Sequence, residues 1–538
     1  MVRGVLLIVA VAVYGANSRD VAAQAAESTS TLAVNSTSSD ELASWIDHRS
    51  TKHWRSLGVE IPAIVDDATF LRRVYLDLVG TIPSVSDVRD FLADKSESKR
   101  VRMVDRLLDD SRSSAHLSRV WRRILLSETN VPDQLAQQLE TWLERELRGR
   151  ASYDELVRTL VTAGGAEPNR AANTSVKQTT LVAFLQSSGG QPANIASAVS
   201  RVFLGVRLEC AQCHDHPFAS WKQEDLWGIA AFFAGARLER NPAGNLVDGP
   251  ASAQPLADEP VSEITPSEIN RTFAARYLWT NVGAAEIPSG KPPRQAFSEW
   301  LTSRDNPHFA ATAVNRIWEY LCGDGLTASV NELDQATLKQ RAVLLDGLAE
   351  RFAASGFDLR WLMRGICCSG YYQLPATTGD HTYDAPGRPL KVVTPEQLFD
   401  SLEVSLGLPM SRIDLGARFN GQRDQLVARM AEVLGDSPDD FRAKLPQALI
   451  LMNGRLTAEA TDLEQSRTLR AVVDAPFLKS SDKIETLFLA TLTRRPSGIE
   501  SQKLEAYVNE QTSTESRNRA YAEIMWALIN SPEFVLIR

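Results

Sequence analysis

Apolar residues recur along this chain at intervals of three and four, the spacing of helices that bury one face. Phe70, Leu71, Val74 and Leu78 fall on one stripe, and Val85, Val88, Phe91 and Leu92 on the next. Between them Gly80-Thr81-Ile82-Pro83-Ser84 breaks one helix and starts another, with Pro83 near the new first turn. The same period predicts helices over 101–108, 135–147 and 153–162, then over 309–320, 340–354, 359–368, 395–406 and 521–530. Gly356 and Asp358 mark an end and a cap between two of these. A helix over 484–492 followed by Pro496-Ser497 echoes the earlier helix–Pro-Ser–helix only loosely.

Residues 237–293 break the period. Eight of the 25 prolines fall there, a density that forbids long helices and leaves room for a short strand at Phe273–Trp279. The expected architecture is mainly α. Two helical domains, 41–236 and 294–538, are joined by this irregular Pro-rich segment. Before them lie two further pieces. Arg3, the apolar run Val5 to Val13 and Ala23-Gln24-Ala25 have the layout of a secretory signal peptide over 1–25. A Ser/Thr-rich leader over 26–40 offers almost nothing to bury. The mature chain is therefore expected to be exported, whether periplasmic, at the cell surface or secreted, where thiols can be oxidised.

Composition narrows the partners. With 58 basic and 67 acidic residues the net charge is −9, and no long basic run offsets it, so nucleic acid is not an expected partner. No stretch approaches the roughly 18 apolar residues of a membrane span. Phosphate loops, G-x-G-x-x-G, G-x-S-x-G and H-E-x-x-H are all absent, so no catalytic residue is singled out.

One segment carries candidate chemistry: Cys210-Ala211-Gln212-Cys213-His214-Asp215-His216. It contains C-x-x-C-H, the attachment pattern of c-type haem, which at these Cys and His frequencies arises by chance in roughly one chain in a thousand. Two thiols three positions apart can reach the two vinyl groups of one porphyrin, and His214 can then meet the iron from one face. The apolar stripe Ile195, Val199, Val202 and Val206 predicts an amphipathic helix ending at the first cysteine. Ser220-Trp221-Lys222-Gln223 reads as a capping box opening a helix that runs through Trp227, Phe232 and Phe233.

Two alternatives stand beside haem. Cys210, Cys213, His214 and His216 are the donor types of a zinc clip, although four ligands within seven residues are sterically awkward. Cys210 and Cys213 can also close a disulfide with no cofactor at all. Cys322, Cys367 and Cys368 read as buried small hydrophobes, one of the last two facing the core, with a bridge from Cys322 as an option. Arg119, Arg122 and Arg123 read as a solvated helix face. A distal haem ligand would come from Met103, His116, His308, Met363 or His381, and no local context selects one. An open sixth position is therefore the expectation.

Several stretches resemble a known family. Phe70 through Ser84, and Val202-Phe203-Leu204-Gly205-Val206-Arg207-Leu208-Glu209-Cys210 through Phe218 and Trp221, resemble the planctomycete cytochrome C-like domain. Trp300 to Pro307, Val314-Asn315-Arg316-Ile317-Trp318, Pro446 to Leu449 and Trp526 to Phe534 resemble its companion, the planctomycete secreted C-terminal domain. The resemblance implies an exported protein of uncharacterised activity, with a redox or cell-surface partner, whose cytochrome label rests on the same C-x-x-C-H. The chain departs from longer relatives in showing no separate N-terminal cytochrome domain. It also has Asn331-Glu332-Leu333-Asp334-Gln335-Ala336-Thr337 where relatives commonly carry a Pro-rich, His-containing loop.

Overall fold

Short polar side chains start the helices where the sequence offers them. Ser84 accepts from the Asp87 amide, Asp358 from the Trp361 amide, and Ser497 from the Glu500 amide, each satisfying a first-turn N–H. The computed structural model describes residues 38–126, 131, 133–163, 183–217, 219–235, most of 263–333, 338–377, 385–407, 462–463 and 466–538. The signal-peptide segment, nearly all of the leader, 236–262, His381 and Pro446 to Leu449 lie outside the described residues.

The fold is mainly α. In the first half run α1 (Ser39–Ser56), α2 (Asp67–Leu78), α3 (Val85–Ala93), α4 (Lys99–Asp109), α5 (Ser111–Leu125), α6 (Asp133–Arg148), α7 (Tyr153–Val161), α8 (Pro192–Val199) and α9 (Gln223–Ala231). After β1 (Glu263–Ile264) and β2 (Phe273–Ala274) come α10 (Pro293–Leu301), α11 (Pro307–Cys322), α12 (Leu338–Ala354) and α13 (Leu359–Cys368). The rest comprises β3 (Ala376–Thr377), β4 (Arg388–Pro389), β5 (Lys391–Val392), α14 (Pro395–Leu406), α15 (Arg467–Asp474), α16 (Ser480–Leu492), α17 (Gly498–Asn509), α18 (Thr514–Ile529), α19 (Pro532–Val535) and β6 (Leu536–Ile537). Among the described residues strands pair only in twos: β1 with β2 and β5 with β6 antiparallel, β3 with β4 parallel. The strand expected at Phe273–Trp279 is thus realised at its first two residues. Among the described residues no helix is long and apolar enough to cross a membrane.

The apolar core does not divide at the Pro-rich segment. One cluster runs from Leu42 through Phe233 and on through Phe297, Trp318 and Tyr372, so α13 packs on α1 and α4, and α10 on α7. A second gathers Leu398, Leu487, Phe488, Met525 and Phe534 with Leu76 and Ile82 from the first half. Helix α2 therefore faces both cores, which is why nine of its consecutive residues, Phe70 to Leu78, are buried.

Charged groups inside α2 make this double burial possible. Asp77 is fully buried and receives Lys391 Nζ at 2.5 Å and the Tyr372 hydroxyl at 2.7 Å. Arg388 lies 4.0 Å away and donates to the carbonyls of Tyr372, Cys322 and Leu321. Tyr320 gives its hydroxyl proton to the Asp77 carbonyl, so the 2.6 Å bond between Tyr320 and His116 runs from Nε2–H of the imidazole. His116 is packed against Gly80, whose left-handed backbone (φ +79°) leaves no room for a Cβ: one would meet His116 Nδ1 at 2.3 Å. Burial, with Arg119 and Arg123 nearby, pushes the His116 pKa from 6.5 down to about 3.

The arginines of α5 are not a solvated face. Arg119 pairs with Asp400 at 2.8 Å and Arg123 with Glu396 at 2.9 Å, while Arg122 reaches Glu140 at 3.2 Å. Two of these partners lie more than 270 residues on, in α14, where a local reading of charge does not see them.

Replacing Lys391 with Met strands the Asp77 carboxylate and should cost roughly 3–5 kcal/mol in denaturant unfolding. A D77N/K391M double variant should recover part of that loss. For His116 the folded-state pKa lies below the unfolded one, so its contribution is complete above pH 6.5 and is lost as pH falls towards about 3. Unfolding titrations between pH 6 and 4.5 should show a slope in wild type that exceeds H116Q by up to ~1.4 kcal/mol per pH unit.

Candidate functional site

The segment ahead of the cysteines is shaped by a change of helix type. α8 passes at Ser200 into a π-helical turn, Ser200–Leu204, which Gly205 ends in the left-handed region (φ +65°). A Cβ at Gly205 would meet the Leu333 side chain at 2.8 Å and Thr312 Oγ1 at 3.0 Å. Arg316 of α11 fixes the turn, donating from Nε to the Val202 carbonyl (3.1 Å) and from Nη2 to the Arg201 carbonyl (3.0 Å) and Asn331 Oδ1 (2.6 Å). The Leu333 amide closes the clamp on the Gly205 carbonyl at 2.7 Å. The first cysteine is therefore not at the end of the amphipathic helix. Gly205 stops that helix, Val206 to Leu208 run without helical structure, and Cys210 falls in a separate 3-10 turn, Glu209–Gln212.

This turn is anchored from below and open above. Leu208 and Ala211 are fully buried, whereas Cys210, Cys213 and His214 are exposed. All five cysteines are free thiols; Cys322 and Cys367 are buried, and Cys368 is half-buried. Helix α9 holds the outgoing loop by its first turns. Trp227 Nε1 donates to the Gln212 carbonyl (3.1 Å), Gln223 Nε2 to the Cys213 carbonyl (2.5 Å), and the Gln223 amide to Asp215 Oδ1 (3.0 Å). The cap of α9 is Lys222, whose amide is taken by Asp225 Oδ2 at 2.8 Å; the box expected at Ser220 does not form. The chain turns there because His216 donates its amide to the Trp221 carbonyl (2.8 Å) and accepts the Ala219 amide at Nδ1 (3.0 Å).

The two histidines thus differ. His214 has Nδ1 at 2.8 Å from the Asp215 carbonyl, and in the neutral ring that nitrogen carries the proton. Nε2 of the exposed ring is then the nitrogen that carries the lone pair, the arrangement in which a backbone carbonyl sets the tautomer and raises the basicity of the other nitrogen. His216 uses its Nδ1 to close the 216–221 loop. Among the described residues no three His, Cys, Asp or Glu side chains are gathered as a metal site.

Aromatic residues flank the loop. Trp221 meets Trp279 edge-on at 5.9 Å, and Trp279 stacks on His308 at 3.7 Å with their planes 3° apart. Burial pushes the His308 pKa down to about 4, so the ring is neutral at neutral pH. Trp279 itself is 39% exposed and sits at φ +57°, unusual for a bulky residue. Of the distal-ligand candidates, Met103, His116 and Met363 are core residues. Among the described candidates, only His308 is brought into the aromatic cluster beside the loop. Trp279 and Arg316 have no sequence signal of their own as site residues.

Residues 45–237 match the family model PSCyt2, a protein of unknown function (DUF1549), and residues 293–404 match PSD1, also of unknown function (DUF1553). The chain belongs to this paired family. No curated protein and no solved structure matches it. In PSCyt2–PSD1 terms, the thiol-bearing turn belongs to the PSCyt2 region, whereas Arg316, Thr312 and Leu333 belong to PSD1.

G205A should lose roughly 1–3 kcal/mol through left-handed strain, with the Leu333 clash adding to it, measured by denaturant unfolding. Its effect should appear selectively as faster reaction of Cys210 and Cys213 with a thiol reagent, because the turn loses its clamp. Cys322 and Cys367 should stay protected until global unfolding.

Proposed function

We propose that this protein is an exported c-type haem protein with an electron-transfer or redox role. Cys210 and Cys213 would form the thioethers, and His214 Nε2 would ligate the iron. The observation that carries this reading is the pairing of two exposed thiols on one short turn with a neighbouring imidazole whose Nδ1 is held by the Asp215 carbonyl. A haem held there supplies one-electron chemistry at iron. The protein's own part is to orient the donors. Asp215 and Gln223 hold the loop that carries His214, and Trp227 fixes the backbone between the cysteines. Supporting export, Arg3, the run Val5 to Val13 and Ala23-Gln24-Ala25 have the form of a cleaved leader.

The test is expression with export and a haem-attachment system, followed by a pyridine haemochrome assay. One haem per chain is expected, with loss in C210A/C213A. A folded, colourless product overturns the proposal and leaves a non-catalytic exported scaffold. Zinc at one per chain would then mark a metal clip, and loss of two free thiols without metal a disulfide. The sixth position is expected to be open, so the reduced protein should bind carbon monoxide rapidly and completely. A low-spin spectrum indifferent to the gas and abolished by H308A would overturn that expectation.

A further inference from the structure

A second cluster, sharing no residue with the cysteine turn, lies where the α4–α5 corner meets the loop from α6 to α7 and the start of α13. These segments enclose a cavity of ≈ 280 Å³. Sites for drug-sized ligands run from roughly 300 to 1,000 Å³, so this one suits a smaller molecule. Leu108, Leu117, Leu147, Leu359 and Met363 give it an aliphatic lining, with no aromatic ring among the described residues of the wall.

The charged groups of the wall are balanced, three aspartates against three arginines, and most are already engaged. Asp110 is held by the Arg112 guanidinium and accepts the Arg112 amide, Asp358 accepts the Trp361 amide, and Arg148 pairs with Glu144. Arg360 donates to the Leu108 carbonyl (2.5 Å) and to Asp109 Oδ1 (2.7 Å). Arg150 Nη2 reaches the same Oδ1 at 3.0 Å. Two complementary groups thus lie side by side with capacity to spare. Asp109 Oδ2 and the Nε and Nη1 donors of Arg150 have no partner among the described residues. Ser113, in the same wall, is buried and its hydroxyl has none either.

The backbone is strained on both sides of the cavity. Arg150 and Phe357 each sit in the left-handed region at φ +59°, two of four non-glycine residues that do so among the described residues. Glycine ends a helix in this conformation without steric cost, and Gly149 is only one position away. The Tyr153 amide ties the two strained loops together at the Phe357 carbonyl, 3.0 Å away. Strain of this kind clusters at ligand clamps and active sites, and at position 150 it accompanies a guanidinium set beside Asp109.

We infer that this cavity binds a small aliphatic α-amino acid, with its ammonium on Asp109 Oδ2, its carboxylate on Arg150 and its side chain against the aliphatic lining. A balanced wall favours no net ion, whereas an adjacent acceptor and donor match the two ends of a zwitterion. The site is independent of the haem reading. The experiment is calorimetric titration of the full chain with L-leucine, hexanoate and hexylamine, each at ionic strength matched with sodium chloride. Saturable binding of one L-leucine per chain is expected, with hexanoate and hexylamine, which carry one charge each, at least tenfold weaker. D109N should weaken L-leucine binding at least tenfold. R150G should do the same while melting close to wild type, because glycine relieves the left-handed strain and the exposed pair with Asp109 contributes little. Failure of L-leucine to bind saturably overturns the inference. So does hexanoate or hexylamine binding as tightly as L-leucine, or L-leucine binding that D109N and R150G leave unchanged.

Discussion

A carboxylate with no access to water has to be matched on every side, and Asp77 imposes that condition on this fold. Lys391 and Tyr372 come to its carboxylate from β5 and from the turn after α13, and Tyr320 of α11 donates to the backbone carbonyl of the same residue. Each is separated from it by more than 240 residues of chain. Because breaking one partner leaves a buried charge unmatched, the four segments are held to one arrangement more strictly than apolar contact alone would hold them. Arg73, one turn earlier on α2, extends the constraint by donating to the Tyr372, Leu374 and Arg538 carbonyls. The helix that looks from its period like an ordinary amphipathic element is in fact the shared wall of both cores.

What the sequence made legible was local. The helices 359–368 and 395–406 were readable to the residue because a cap, an apolar period and a stop signal agreed there. The C-x-x-C-H motif was readable because it is a contiguous pattern. Its setting was not. The stripe Ile195 to Val206 continues past the end of α8, so periodicity alone runs the helix into the cysteines. The actual end is decided by Gly205 meeting Leu333 and Thr312 from beyond the Pro-rich segment. Ser220 satisfied a capping rule, yet the 216–221 loop turns on His216 and Trp221, and the cap moved to Lys222. The arginines of α5 failed the local reading for the same reason. Their carboxylates belong to α14 (Asp400, Glu396) and α6 (Glu140), and charge patterning within one helix cannot find them.

The clamp on the π-helical turn has its own bearing on how the molecule is divided. Arg316 grips the Arg201 and Val202 carbonyls from α11, and Asn331 steadies the same guanidinium. The thiols are thus carried by one family region and aimed by the other. Two sequence models describe the chain, but its geometry at the turn is a joint product.

That joint product bears on inheritance. A recombination event that joined the PSCyt2 half of one lineage to the PSD1 half of another would import an Arg316, Thr312 and Leu333 shaped around a different glycine turn. The hybrid would begin with a mismatched seam at the very turn that leads to the two exposed thiols. Drift on either side of the seam is therefore answerable to the other, and the two regions are bound to descend as a matched pair.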